Sequence, residues 1–123
     1  MKLEKIMLVG TEIPPPLMEL LLDSGSQVTR IPTGRAAVSH AQRKMFDAAI
    51  IVSTGDEMDV AETIFNLSDI NRAMQVILIS ERAKISDLEI PKDSLERVVP
   101  NTKIMTLREL KIYLDSKQKE AAK

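Results

Sequence analysis

The stretch from Lys5 to Gly25, KIMLVGTEIPPPLMELLLDSG, decides the fold. Four apolar residues, Ile6-Met7-Leu8-Val9, stop at Gly10-Thr11-Glu12. Three prolines follow, and a leucine-rich run then ends at Gly25. An apolar block this short and solid suits a strand buried on both faces of a parallel sheet. Leu17, Leu20 and Leu21 have helical spacing and make one apolar stripe. Prolines are tolerated in the first turn of a helix, where the missing N–H has no intrahelical partner, and glycine just past the last turn is a common stop. The segment reads as strand, connection and helix, and in a parallel α/β sheet such connections at the carboxyl ends of strands are where ligands bind.

Working outward, the same alternation continues. Ala48-Ala49-Ile50-Ile51-Val52 and Val76-Ile77-Leu78-Ile79 are further apolar blocks, and Gln27-Val28-Thr29-Arg30-Ile31 and Arg97-Val98-Val99 read as shorter, less buried strands. Ala37, Ala41 and Met45 form a second helical stripe, and Val60, Ile64 and Leu67 a third. Thr106-Leu107-Arg108-Glu109 has the form of a capping box, so a closing helix begins there with Leu107, Leu110 and Leu114 on one face. Alternating strands and helices with short connections predict a doubly wound α/β sheet with helices on both faces. Pro91 interrupts the fourth crossover, Lys84 to Glu96, so the fourth helix is expected to be short or irregular. The domain is read as residues 1–116, followed by a polar helical tail over 117–123 that leads toward an absent output domain.

Composition narrows the function classes. At 123 residues with 44% hydrophobic and 28% charged, the chain has the size of one globular domain. A net charge of −1 provides no basic field for nucleic acid or anionic lipid. There is no cysteine, which excludes disulfides and thiolate catalysis, and no apolar run approaches the ~20 residues of a membrane-spanning helix. The expectation is a soluble, cytoplasmic protein that contacts neither nucleic acid nor membrane.

The strand ends carry the specific signal. KIMLVGTE resembles the opening strand of a response-regulator receiver domain, with Gly10 and Thr11 where that family places two acidic residues. FDAAIIV is similar to the third strand, and by that register the phosphoacceptor aspartate falls on Val52. Met58-Asp59 resembles the segment opening the third helix. MQVILISERA is similar to the fourth strand, with Ser80 at the switch hydroxyl, and KIMTLREL is similar to the closing Lys-Pro-Phe segment, with Lys103 at the lysine and Ile104 in place of proline. The resemblance implies a five-stranded parallel sheet of flavodoxin-like order 2-1-3-4-5. It also implies that Gly10, Thr11, Glu12, Val52, Ser80 and Lys103 surround a degenerate phosphorylation pocket.

The departures fall on the chemistry. Aspartyl phosphorylation needs a carboxylate nucleophile and a hard divalent cation held by oxygen ligands. Val52 supplies no nucleophile, Gly10 and Thr11 supply no carboxylate, and Glu12 alone is a thin basis for a magnesium site. Asp56 and Asp59 are better explained as turn and helix-start residues than as metal ligands, and Ser53 and Thr54 as flanking hydroxyls than as substitute phosphosites. His40 lies mid-helix, and no hydrolase triad or zinc cluster is visible. The expectation is therefore a pseudo-receiver without catalytic residues, metal or cofactor. It would regulate by protein–protein interaction, alone or as a homodimer. The resemblance places its partner face on the fourth helix, fifth strand and fifth helix, with Arg82, Arg97, Arg108, Lys111 and Tyr113 as candidate contacts. Two other classes stay open. One is a small-molecule or nucleotide-binding domain with a cavity near Thr11, Ser53 and Ser80, and the other is an enzyme on the same scaffold.

Overall fold

The computed structural model describes residues 4–10, 13–52, 60–71, 73–79 and 101–121, without the side chains of 60, 61 and 117–121. In chain order the elements are β1 (Lys5–Val9), α1 (Pro15–Asp23), β2 (Gln27–Ile31), α2 (Gly34–Arg43), β3 (Ala48–Val52), α3 (Val60–Ile70), β4 (Gln75–Ile79), β5 (Thr102–Met105) and α4 (Leu107–Ala121). All strand pairs are parallel and the sheet order is β2-β1-β3-β4-β5. The expected doubly wound five-stranded sheet is what the chain forms.

Alternation along each strand divides the apolar blocks between two layers. Met7, Val9, Ala49, Ile51, Val76, Leu78 and Ile104 face a core closed by Ala37 of α2 and by Ile64 and Leu67 of α3. Ile6, Leu8, Ala48, Ile50, Val52, Ile77, Ile79 and Met105 face the other, closed by Leu17 and Leu21 of α1 and Leu110 and Leu114 of α4. β1 from Ile6 onward and the whole of β3 need hydrophobic residues because they are covered on both sides. β2 is an edge strand and buries fully only Ile31.

The helix boundaries follow local rules. Gly25, with φ 79°, lets the chain turn out of α1 in a Schellman arrangement: the Ser26 N–H donates to the Leu21 carbonyl at 3.3 Å and the Gly25 N–H to Leu22 at 3.0 Å. Thr33 caps α2 by accepting from the Ala36 N–H at 3.1 Å. The capping box of α4 is reciprocal, with Thr106 Oγ1 accepting from the Glu109 N–H at 3.2 Å and Glu109 Oε1 from the Thr106 N–H at 3.0 Å. At the amino ends of the strands Asp47 ties β1 to β3, its Oδ2 accepting from the N–H groups of Glu4 and Lys5, each at 2.9 Å.

Three expectations need correction. The fifth strand is Thr102–Met105, not Arg97 to Val99, which lie outside the described residues. Its alternating pattern is short and runs into the Thr106 cap, so it reads from sequence as the loop before a helix. Lys103 is consequently the second residue of β5 rather than a residue beyond that strand. Met45 does not extend the α2 stripe: the helix ends at Arg43, Lys44 is extended, and Met45 is 73% exposed. The fourth crossover with Pro91 lies outside the described residues. α4 continues without a break past residue 116 to Ala121.

Candidate functional site

Backbone register defines one row of residues at the carboxyl ends of the central strands. Val9 is level with Ile51, Val52 with Ile79, and Ile79 with Met105. Gly10 follows Val9 directly and meets Val52. A β-carbon placed on Gly10 would stand 3.2 Å from the Val52 carbonyl oxygen, 3.4 Å from Val52 Cβ and 3.4 Å from Ile13 Cδ1. Gly10 has φ 149°, a conformation open to glycine and strained for other residues, and its N–H donates to the Ile31 carbonyl at 2.9 Å. The end of β1 is thereby held between β2 and β3, with a tight fit for any side chain at Gly10.

The row is hydrocarbon. Val52 is 5% exposed, Ile79 3% and Met105 8%, all in the core layer under α1 and α4, and Ile13 packs on the same layer from the β1–α1 connection. Sequence reasoning missed Ile13. The available signal was its place as the first apolar residue after the strand, immediately before the prolines.

The helix end beside this row does not serve an anion either. Pro14 is the N-cap of α1, with Pro15 and Pro16 in the first two helical positions, so three successive residues have no N–H. The next amide, Leu17, donates to the Pro14 carbonyl at 3.0 Å. Helix N-termini attract phosphate through free amides, and the opening of α1 has none.

Of the six residues assigned to the degenerate pocket, the structure brings Gly10 and Val52 together. Thr11, Glu12 and Ser80 lie outside the described residues, as do Ser53, Thr54, Asp56 and Asp59. Lys103 is not part of the row. It is level with Ile77, two residues before Met105, or about 6.6 Å back along the strand at ~3.3 Å per residue. Its side chain is exposed and its ammonium stands 5.7 Å from the ring centroid of Tyr113, within cation–π range. Among the described residues no group of three or more His, Cys, Asp or Glu side chains could hold a metal ion. His40 is half-buried in the last turn of α2.

On the proposed partner face, Arg108 and Lys111 are exposed on α4, and Tyr113 is half-buried with its ring against the core. Arg82 and Arg97 lie outside the described residues. β5 and α4 border an open groove of about 660 Å³ whose walls include Lys103, Met105, Glu109, Ile112 and Tyr113. Ile112 is 65% exposed there. No helix among the described residues is long and apolar enough to cross a membrane.

No protein-family model matches the chain, and no curated protein matches it. Solved structures do. A CheY-like response regulator receiver domain protein from Methanospirillum hungatei JF-1 aligns over 97% of this chain and 99% of its own, at TM-score 0.69 and 18% identity. The receiver domain of NtrC4 from Aquifex aeolicus aligns over 96% and 98%, at TM-score 0.72 and 14% identity. The receiver domain of the sensor histidine kinase PA1611 from Pseudomonas aeruginosa PAO1, with a magnesium ion coordinated in its active site cleft, aligns over 92% and 95%, at TM-score 0.70 and 20% identity. At these identities the likeness establishes the receiver fold, and function has to be argued from the site.

Proposed function

We propose that this chain is a receiver-type signalling domain that works without phosphotransfer and regulates by contact with another protein. The observation that carries the reading is the strand-end row. Phosphotransfer to a receiver requires a carboxylate nucleophile and oxygen ligands for a divalent cation. Here the corresponding positions hold a glycine backbone packed on the Val52 carbonyl, with Ile13, Ile79 and Met105 alongside. The magnesium ion of the Pseudomonas receiver has no counterpart ligand set among these residues, so Mg²⁺ does not fit the described row. An aspartyl-phosphate switch has nothing to act on there, and regulation passes to the surface.

The groove between β5 and α4 is the partner surface we favour. It joins an exposed isoleucine and a half-buried tyrosine under a lysine, with Glu109 on the same wall, so an apolar and aromatic patch of the kind used as interface anchors is bordered by charge. The role is signalling rather than enzymatic.

The test is an amide NMR titration of the chain with Mg²⁺ and beryllofluoride, which mimics an aspartyl-phosphate. The expected spectrum does not change. Saturable shifts at Gly10, Val52 and Met105 would show a working acceptor site and defeat the proposal. Substitution of Ile112 and Tyr113 by charged residues should then abolish complex formation with a cognate partner while leaving the fold spectrum intact.

A further inference from the structure

Gly10, Ile13 and Pro14 to Pro16 form a socket, a plug and a brace, and together they suggest more than the loss of a phosphorylation site. Gly10 is the socket: buried, lacking a side chain, at φ 149°, and closed on one side by the Val52 carbonyl oxygen and Cβ. Ile13 is the plug: its Cδ1 stands 3.4 Å from where a Gly10 β-carbon would be, at van der Waals contact, and it packs on the same core layer as Val52 and Ile79. Pro14, Pro15 and Pro16 are the brace. Each proline fixes its own φ, and Pro14 also confines the preceding Ile13 to extended backbone. Pro14 is extended, with φ −59° and ψ 131°, and leads directly into α1. A plug on such a stiff stem loses little conformational freedom on docking, so its seated position is strongly favoured.

We infer that this chain locks the carboxyl ends of β1 and β3 in one conformation by apolar packing, where a receiver switched at this point would need two. The inference rests on the reading of the domain as phosphorylation-independent and adds how its state is set. A population shift requires two arrangements that a ligand can tell apart. Ile13 seated over Gly10 and Val52 leaves one. Signalling by this domain is then controlled by which partner is present and at what concentration, not by a conformational change at the strand ends.

The test is ¹⁵N relaxation dispersion, which reports microsecond-to-millisecond exchange, on the full chain without cation or phosphoryl mimic. In the natural chain the profiles of Gly10, Val52, Ile79 and Met105 are expected to be flat. Ile13→Ala should shift the Gly10 and Val52 amides and turn their profiles curved. Ile13→Leu, which keeps an apolar side chain reaching to a δ carbon, should stay flat and serves as the variant whose folding is not in question. Pro15→Ala with Pro16→Ala, both at exposed positions, should give an intermediate response, because the plug remains while its stem loosens. Curved profiles in the natural chain, or an Ile13→Ala spectrum unchanged at Gly10 and Val52, would overturn the lock. Because no metal or beryllofluoride is present, exchange in the natural chain combined with a silent titration would reject the lock and leave the phosphorylation-independent reading standing.

Discussion

Placing an aspartate at Val52 restores one of the residues by which this chain departs from a phosphoaccepting receiver. If the strand-end row is hydrocarbon, Val52→Asp should damage the fold and gain no chemistry. Val52 is 5% exposed, so its replacement forfeits about 1.5–3 kcal/mol of side-chain burial. A carboxyl group with no partner among Gly10, Ile13, Ile79 and Met105 adds about 1–3 kcal/mol more. The sum, roughly 2.5–6 kcal/mol, is a large share of the ~5–15 kcal/mol by which domains of this kind are stable. Urea unfolding followed by circular dichroism measures it as a lower midpoint at unchanged slope.

The pH dependence gives the decisive sign. Desolvation raises the folded-state pKa of the new carboxyl above its unfolded value of ~3.9. Between those two values the folded variant binds more protons than the unfolded one, so its stability falls as pH rises through that window. The gap to the natural protein should therefore be widest at pH 7 and narrow toward pH 4. A loss below ~1 kcal/mol without this trend would mean that position 52 reaches water or a partner, contrary to the packing described. Rapid labelling of the variant by a small phosphodonor would refute the account of the metal site, since Gly10 still supplies no ligand and no space for one.

Three further substitutions test the frame that holds this row. Gly34→Ala drives a methyl group into the Thr63 side chain where α2 crosses α3 and should cost about 1–3 kcal/mol, with Thr63→Ala in the same chain restoring part of it in urea unfolding. Thr102→Val removes a hydroxyl that is buried without a hydrogen-bond partner at the start of β5 and should raise stability by about 1 kcal/mol, read as a higher midpoint. Asp47→Ala releases the Glu4 and Lys5 amides and should cost about 1–3 kcal/mol, with faster hydrogen exchange at Lys5 as its local signature and partial recovery in Asp47→Asn.

Legibility in the sequence tracked how local each cause was. The apolar blocks of β1, β3 and β4 announce themselves because burial on both faces demands hydrophobic residues at every position. The Gly25 stop and the Thr106–Glu109 box are equally plain, since a few neighbouring residues settle each. β5 was misplaced because a strand of four residues that begins Thr-Lys leaves only Ile104-Met105 as an apolar run, although Thr102, Ile104 and Met105 are all buried. The place of Lys103 likewise depends on the register of β5 against β4, a non-local fact.

Ile13 shows why a site can be harder to read than a fold. Sequence reveals that Gly10 and Val52 lack carboxylates, an absence any loop could share. Whether the space is open to solvent or filled depends on a side chain three residues along, just before a run of prolines. The filled answer changes the chemistry available: an open cleft lacking ligands could regain a metal with two substitutions, whereas this row would also have to expel Ile13 and rebuild the backbone at Gly10, whose φ no aspartate adopts without strain. Recovering phosphotransfer thus requires changes at positions 10, 13 and 52 together. Any one alone meets the packing of the other two, so under the proposed phosphorylation-independent reading no single substitution opens the row to phosphotransfer.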